Sequence, residues 1–260
     1  MRIGVYQRLC SIAQKPGVGQ ALLAAALFGV STPFAKLLLS TLPPQILAGL
    51  LYLGSGIGLG FLLIVRRRLT SQREANLARG DVPFLLGAIV FGGVIAPILL
   101  LFGLSQMAAA GASLLLNLEA VFTALVAWFV FGENVNWRIA LGMLSIVGGG
   151  ILLSWSSDLR GPSLVGTLAI AAACLSWEID NNITQKISGR DPVQIACIKG
   201  LSAGTVNLGL AYLGASQVTF GRAILFAIAL GFVSYGLSLL RINRSSALNS
   251  RSACKLSLTK

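Results

Sequence analysis

Apolar residues run in long stretches along most of this chain, and polar residues gather in short gaps between them. The stretches cover roughly 17–39, 44–65, 83–104, 107–130, 137–155, 163–186, 193–214 and 221–240. Each is about twenty residues long, the length of helix that crosses a hydrocarbon core of roughly 30 Å. Spanning strands would instead show about ten residues of alternating polarity, and no such pattern occurs. The expectation is an all-α integral membrane protein carrying eight transmembrane helices. Prolines punctuate the gaps: Pro43 and Pro44 before the second stretch, Pro83 opening the third, Pro162 before the sixth and Pro192 before the seventh. A proline there starts a helix without leaving an N–H unsatisfied.

Composition supports this picture. With 55% hydrophobic and 11% charged residues, the chain cannot coat a soluble surface. The net charge of +12 would suggest nucleic acid if the bases formed one face. They lie instead in the gaps, which argues against that partner. Their distribution orients the chain. With the N-terminus in the cytoplasm, sixteen of the twenty bases fall inside: Arg2, Arg8, Lys15, Arg66, Arg67, Arg68, Arg73, Arg79, Arg138, Lys186, Arg190, Arg241, Arg244, Arg251, Lys255 and Lys260. Only Arg160 and Arg222 fall outside, while Lys36 and Lys199 lie within stretches. Cytoplasmic loops are enriched in Lys and Arg, so the N-terminus is expected inside. The first stretch follows basic residues as a signal peptide would, but it ends in Pro33-Phe34-Ala35-Lys36-Leu37 with no small-x-small cleavage site, and is read as a retained span.

The chain also aligns with itself. At an offset of 150, Ala21 and Lys36 match Ala171 and Lys186. At 148, Pro44, Ala48, Leu53 and Gly56 match Pro192, Ala196, Leu201 and Gly204. At 139, Ala88, Ile89, Gly92, Val94, Leu100 and Leu101 match Ala227, Ile228, Gly231, Val233, Leu239 and Leu240. The repeat unit holds five stretches, and an odd number reverses the second copy, giving an inverted repeat of five-helix units. Residues 17–155 are then a first repeat, 163–240 an incomplete second repeat of three helices, and 241–260 a polar basic tail. Two helices of an expected ten are missing on this view.

Several motifs resemble the EamA-type permeases of the drug/metabolite transporter superfamily. They are Leu27-Phe28-Gly29-Val30-Ser31-Thr32-Pro33-Phe34-Ala35-Lys36, Asn117-Leu118-Glu119-Ala120, Phe131-Gly132-Glu133, Ser176-Trp177-Glu178-Ile179-Asp180-Asn181-Asn182, and Asp191-Pro192 through Lys199-Gly200. The resemblance covers about residues 17 to 240. It implies ten helices in two inverted halves around a central cavity, and an inner-membrane permease moving a small metabolite or drug by alternating access. The chain departs from that pattern in lacking the ninth and tenth helices. The alternative is a transport-incompetent product of a disrupted transporter gene, or a subunit needing a partner.

Ionisable groups within the stretches are few, and each is costly unless it faces a cavity or a partner. Glu119 falls about 18 Å from the inner end of the fourth stretch at 1.5 Å per residue. It reads as a solute-facing or proton-accepting carboxylate, or as a hydrogen-bonded structural group. Helical spacing puts Glu178, Asn182 and Gln185 on one face of the sixth stretch, with Asp180 and Thr184 nearly opposite. Asp180 and Lys199 fall at similar depth, about 9–11 Å from the inner end, and are expected to pair. Trp177 and Tyr52 are candidates to stack on a planar solute or simply to pack. The candidate substrate-binding set is Asn117, Glu119, Trp177, Glu178, Asp180, Asn181, Lys199 and Tyr52. Glycine strips at Gly54, Gly56, Gly58 and Gly60, and at Gly148, Gly149 and Gly150, are expected to admit close helix contact.

An intramembrane enzyme is the third class. The chain has no histidine, so serine–histidine and zinc hydrolase sites cannot be built. A paired-aspartate site needs two facing aspartates, and Asp180 is the one aspartate within a stretch. The four scattered cysteines, Cys10, Cys174, Cys197 and Cys254, contain no Cys-x-x-Cys pair, so neither metal nor cofactor is expected. The partners implied are the lipid bilayer and a small-molecule solute, with a homo-oligomer left open.

Overall fold

A computed structural model describes residues 18–69, 75–129, 132, 136–155, 164–214 and 221–237. Glu133, Arg160 and the 241–260 tail lie outside the described residues. The elements are α1 (Val18–Leu38), α2 (Pro44–Leu69), α3 (Val82–Ala88), a π-wound segment (Ile89–Ile95), α4 (Ala96–Gln106), α5 (Ala109–Leu115), α6 (Leu118–Phe129), α7 (Trp137–Trp155), α8 (Leu164–Gln185), α9 (Pro192–Leu213), α10 (Arg222–Gly231) and a second π-wound segment (Phe232–Leu237). No strand occurs among the described residues. Three helical runs among them are long and apolar enough to cross a membrane: Pro44–Leu69, Arg79–Gln106 and Ala109–Phe129.

The helices begin where local chemistry tells them to. Asp191 caps α9, its Oδ1 accepting from the Val193 N–H at 2.9 Å, with Pro192 in the first turn. The carboxylate supplies the acceptor that the first turn lacks, and proline is preset for that position. The fourth stretch departs from expectation. Instead of one helix over 107–130, α5 and α6 are separated by a turn at Leu116–Asn117. The Cys174 thiol lies 3.8 Å from the Leu115 and Leu116 carbonyls, next to that break.

The centre of the bundle is the α2–α9 pair, packed antiparallel through glycine. A Cβ on Gly56 would stand 2.5 Å from the Leu201 nitrogen, and one on Gly204 would stand 2.7 Å from the Leu53 nitrogen. Further along, Gly49 meets Leu208 and Gly60 meets Cys197. Each step forward on α2 is a step backward on α9. With no side chain on the glycines themselves, the two helices approach until backbone meets backbone at Gly56 and Gly204. The Cys197 thiol reaches the Gly56 carbonyl at 3.4 Å.

Around this pair pack the two helices that carry π-wound segments. The first π segment packs against α8 and α9, and α10 with the second π segment packs against α2. Gly92 faces Lys199 and Asp180, and Gly231 faces the Leu51 backbone. The buried apolar core joins α1, α2, α4, α5, α8, α9 and α10 through residues such as Leu47, Leu101, Leu104, Ile170 and Ala211. The glycines of α7 behave differently from those of α2. Around Gly142, Gly148 and Gly149, the space where a side-chain carbon would stand is open for 4 Å. The expected close-contact seam at Gly148 and Gly149 is therefore absent among the described residues, because α7 packs chiefly on α5 and α6 and turns these glycines away from them.

At one end of the bundle the connection after α2 meets the turn between α8 and α9. The Asp191 N–H donates to the Ala75 carbonyl at 2.9 Å and the Leu77 N–H to Gln194 Oε1 at 3.3 Å. Arg190 Nε pairs with Asp81 Oδ2 at 2.7 Å, and Arg66 approaches Asp191 at 3.6 Å. The Arg-rich connection and the Lys186–Arg190 turn thus lie on the same side.

Candidate functional site

Helix α8 carries the polar belt because two consecutive turns of it present Trp177, Glu178, Asp180, Asn181, Asn182 and Thr184. Neighbours on different sides divide these between them. Toward α6, Glu178 is buried at 4% exposure. Its Oε2 lies 2.7 Å from the Thr123 hydroxyl, and its Oε1 accepts from Asn182 Nδ2 at 2.8 Å. Asn181 Nδ2 donates to Glu119 Oε1 at 3.1 Å. Two carboxyl groups therefore share the α6–α8 interface, and among the described residues neither has a cationic partner.

On its other side α8 presents Asp180, which forms an ion pair with Lys199 of α9. Thr184 donates to the second Asp180 oxygen at 3.1 Å. The pair sits against the bare face of Gly92, where a Cβ would overlap both Asp180 Oδ2 and Lys199 Nζ. Burying two charges is tolerable only with good geometry and further hydrogen bonds, and Thr184 supplies one.

The carbonyls of Gly92 and Gly93 face side-chain donors from three helices. The Tyr52 hydroxyl of α2 donates to the Gly92 oxygen at 2.6 Å, and Trp177 Nε1 of α8 to the same oxygen at 3.3 Å. Asn207 Nδ2 of α9 donates to the Gly93 oxygen at 2.9 Å. Asn207 is fully buried, and its Oδ1 has no partner among the described residues.

Of the eight candidate residues, seven come together in this way: Tyr52 with Trp177 on Gly92, Asp180 with Lys199, Glu119 with Asn181, and Glu178 beside them. Both aromatic rings are buried, with their polar tips spent on the backbone. Asn117 stands apart. It donates to the Leu114 carbonyl of its own turn at 3.0 Å. The residues that sequence reasoning missed are Thr123, Asn207 and the Gly92–Gly93 pair. A Gly-Gly followed by Pro97 inside an apolar stretch was the available signal. No group of three Cys, Asp or Glu suited to a metal occurs among the described residues.

This arrangement is an apolar helical bundle with carboxylates and an ion pair held between helices, and three of its helical runs are long and apolar enough to cross a membrane. The EamA-like transporter family matches residues 15–155, and the chain belongs to that family. It is similar to an "Uncharacterized transporter" of Methanothermobacter thermautotrophicus, at 30% identity over 71% of this chain and 58% of the relative. It is similar also to a "Probable amino-acid metabolite efflux pump" of Salmonella typhimurium, at 29% identity over 66% of this chain and 54% of that protein. The chain spans little more than half the length of these relatives. A solved crystal structure superposes with a TM-score of 0.62 at 18% identity, over 88% of this chain and 79% of its own. That likeness concerns the fold.

Proposed function

We propose that the chain is a permease for a small solute bearing an ammonium group, of the amino-acid metabolite kind, working by alternating access in the inner membrane with its N-terminus in the cytoplasm. The observation that carries this is the α6–α8 carboxyl pair, a buried Glu178 and a half-buried Glu119, without a cationic partner among the described residues while Asp180 is neutralised by Lys199. An ammonium group is the missing complement. Asn181 donates to Glu119, and the solute is proposed to meet Trp177, Tyr52, Asp180 and Lys199, on the other side of α8, as the floor of its path. The efflux pump of Salmonella typhimurium supports the solute class by its name.

The architecture proposed is two inverted five-helix units, of which eight helices of an expected ten lie in this chain. Reciprocal contacts support it. Gly56 on Leu201 and Gly204 on Leu53 are images of each other at the 148 offset. So are Gly92 on Lys199 and Gly231 on Leu51 at offsets 139 and 148. A contact and its mirrored partner are what a two-fold axis requires, and the antiparallel α2–α9 seam gives that axis a place. Two rigid units rocking about it would expose the α6–α8 pair to one side and then the other.

The test is uptake of a panel of radiolabelled amino acids into inverted membrane vesicles. Glu119→Gln is expected to reduce uptake at least tenfold, with the protein still present at normal abundance. Normal uptake by both Glu119→Gln and Glu178→Gln would remove the solute site from this interface.

A further inference from the structure

We propose that Ile89–Pro97 is a mechanical joint in the third span, with Pro97 and Asn207 as its positioning residues. The sequence favours the joint. Ala96 donates its N–H to the Phe91 carbonyl, five residues back. In that register the next carbonyl, Gly92, would take its hydrogen from position 97, which is proline and has none. In the ordinary register, Gly93 would look to the same proline, whose ring also crowds that carbonyl. Pro97 thus strips both glycine carbonyls of backbone donors and widens the winding. Buried in an apolar bundle, such carbonyls must find partners elsewhere.

Three helices supply them. Tyr52 and Trp177 bond the Gly92 oxygen, and Asn207 bonds the Gly93 oxygen. These donors are side chains on α2, α8 and α9, so the wide winding persists only while those helices hold their present places. When they shift, the segment can retighten toward α. That change turns α4 against α3 by roughly 100°, the rotation carried by one residue. It also moves the bare face of Gly92 away from the Asp180–Lys199 pair. π-wound turns recur at functional sites and at helix kinks. Here the winding state reports the position of the surrounding helices and opens or closes the floor of the solute site. The consequence for transport rests on the permease reading; the joint does not.

The test is therefore spectroscopic. Spin labels replace Phe84 on α3 and Phe102 on α4, both exposed, in a full-length chain with its four cysteines changed to serine. The labels lie about 27 Å apart along an unbroken helix, within the range of pulsed electron resonance. The parent protein in liposomes is expected to show two distances. Pro97→Ala, which restores the missing N–H, is expected to collapse them to one. Asn207→Leu is expected to change the ratio of the two by about fivefold, the worth of one hydrogen bond. A single distance in the parent, or two unchanged distances in Pro97→Ala, would overturn the joint. An unchanged ratio in Asn207→Leu would remove Asn207 from it. Two distances with no amino-acid uptake would leave the joint standing and sink the permease.

Discussion

The α2–α9 seam and the α8 polar belt are neighbours in the bundle and are built on opposite principles. In the seam, Gly56, Gly200 and Gly204 put backbone against backbone. It offers almost nothing to titrate or rotate, and its strength is close packing alone. In the belt the contacts are hydrogen bonds and an ion pair, made between side chains of different helices, between side chains along α8, and from side chains to the Gly92 and Gly93 carbonyls. Such contacts exchange partners without leaving a void. Close packing does not yield by small steps. The difference suits the seam to holding α2 and α9 together and the belt to changing.

The largest effect should come from filling the seam. A Cβ on Gly200 would stand 2.8 Å from Gly56 Cα and 2.9 Å from the Tyr52 carbonyl, and neither backbone atom can move aside. Gly200→Val is expected to cost more than about 3 kcal/mol, the upper end of overpacking. Thermal unfolding in detergent would show it as loss of a folded peak. Gly148→Ala on α7, with open space around it, should unfold like the parent. Similar behaviour of the two variants would mean the seam is not what holds the bundle.

Breaking the belt comes next. Asp180 and Lys199 are mostly buried, with side chains 7% and 19% exposed. Removing either partner leaves an uncompensated charge, costing about 3–5 kcal/mol. Asp180→Asn and Lys199→Ala should each destabilise by that order. The double replacement Asp180→Leu with Lys199→Met should recover most of the loss. Additive losses in the double variant would show that the two residues are not a pair. Thr123→Val is smaller. It removes one hydrogen-bond partner from the buried Glu178 oxygen, worth about 1–3 kcal/mol, and the same unfolding measurement resolves it.

The sequence was informative where physics is local or additive. Lengths of apolar runs located α1, α2, α7, α8 and α9 to within a few residues, because spanning length and proline starts are properties of the run itself. Depth along two helices brought Asp180 and Lys199 together on paper, and they do meet. The π winding was not legible from average hydropathy. Its cause, Pro97, is one residue in an apolar run, and its partners Tyr52, Trp177 and Asn207 are distant in sequence. The break at Leu116–Asn117 was hidden the same way. The glycines of α2 and α7 look alike as strips, yet among the described residues only those of α2 meet a facing helix. Composition cannot tell which strip faces a neighbour and which faces outward.

The smallest expected effect lies at the end of the bundle, where the two halves of the proposed repeat touch through charge instead of glycine. Arg190 grips Asp81 at 2.7 and 3.4 Å, and the Ala78 N–H holds the same carboxylate at 2.7 Å. The pair lies at the rim of the bundle, where water and salt screen it. Arg190→Gln is therefore expected to unfold with the parent in ordinary buffer. Its effect should appear only where the two sides of the membrane are distinguished. A cysteine at Gly189, exposed beside the pair, should react faster with an impermeant maleimide once Arg190 is replaced. Exchanging the charges, Asp81→Arg with Arg190→Asp, should slow the reaction again. High salt should raise the parent's rate toward that of the variant. Equal rates in all three chains would mean that this contact merely decorates the surface, and that closure of this end depends on the packed helices alone.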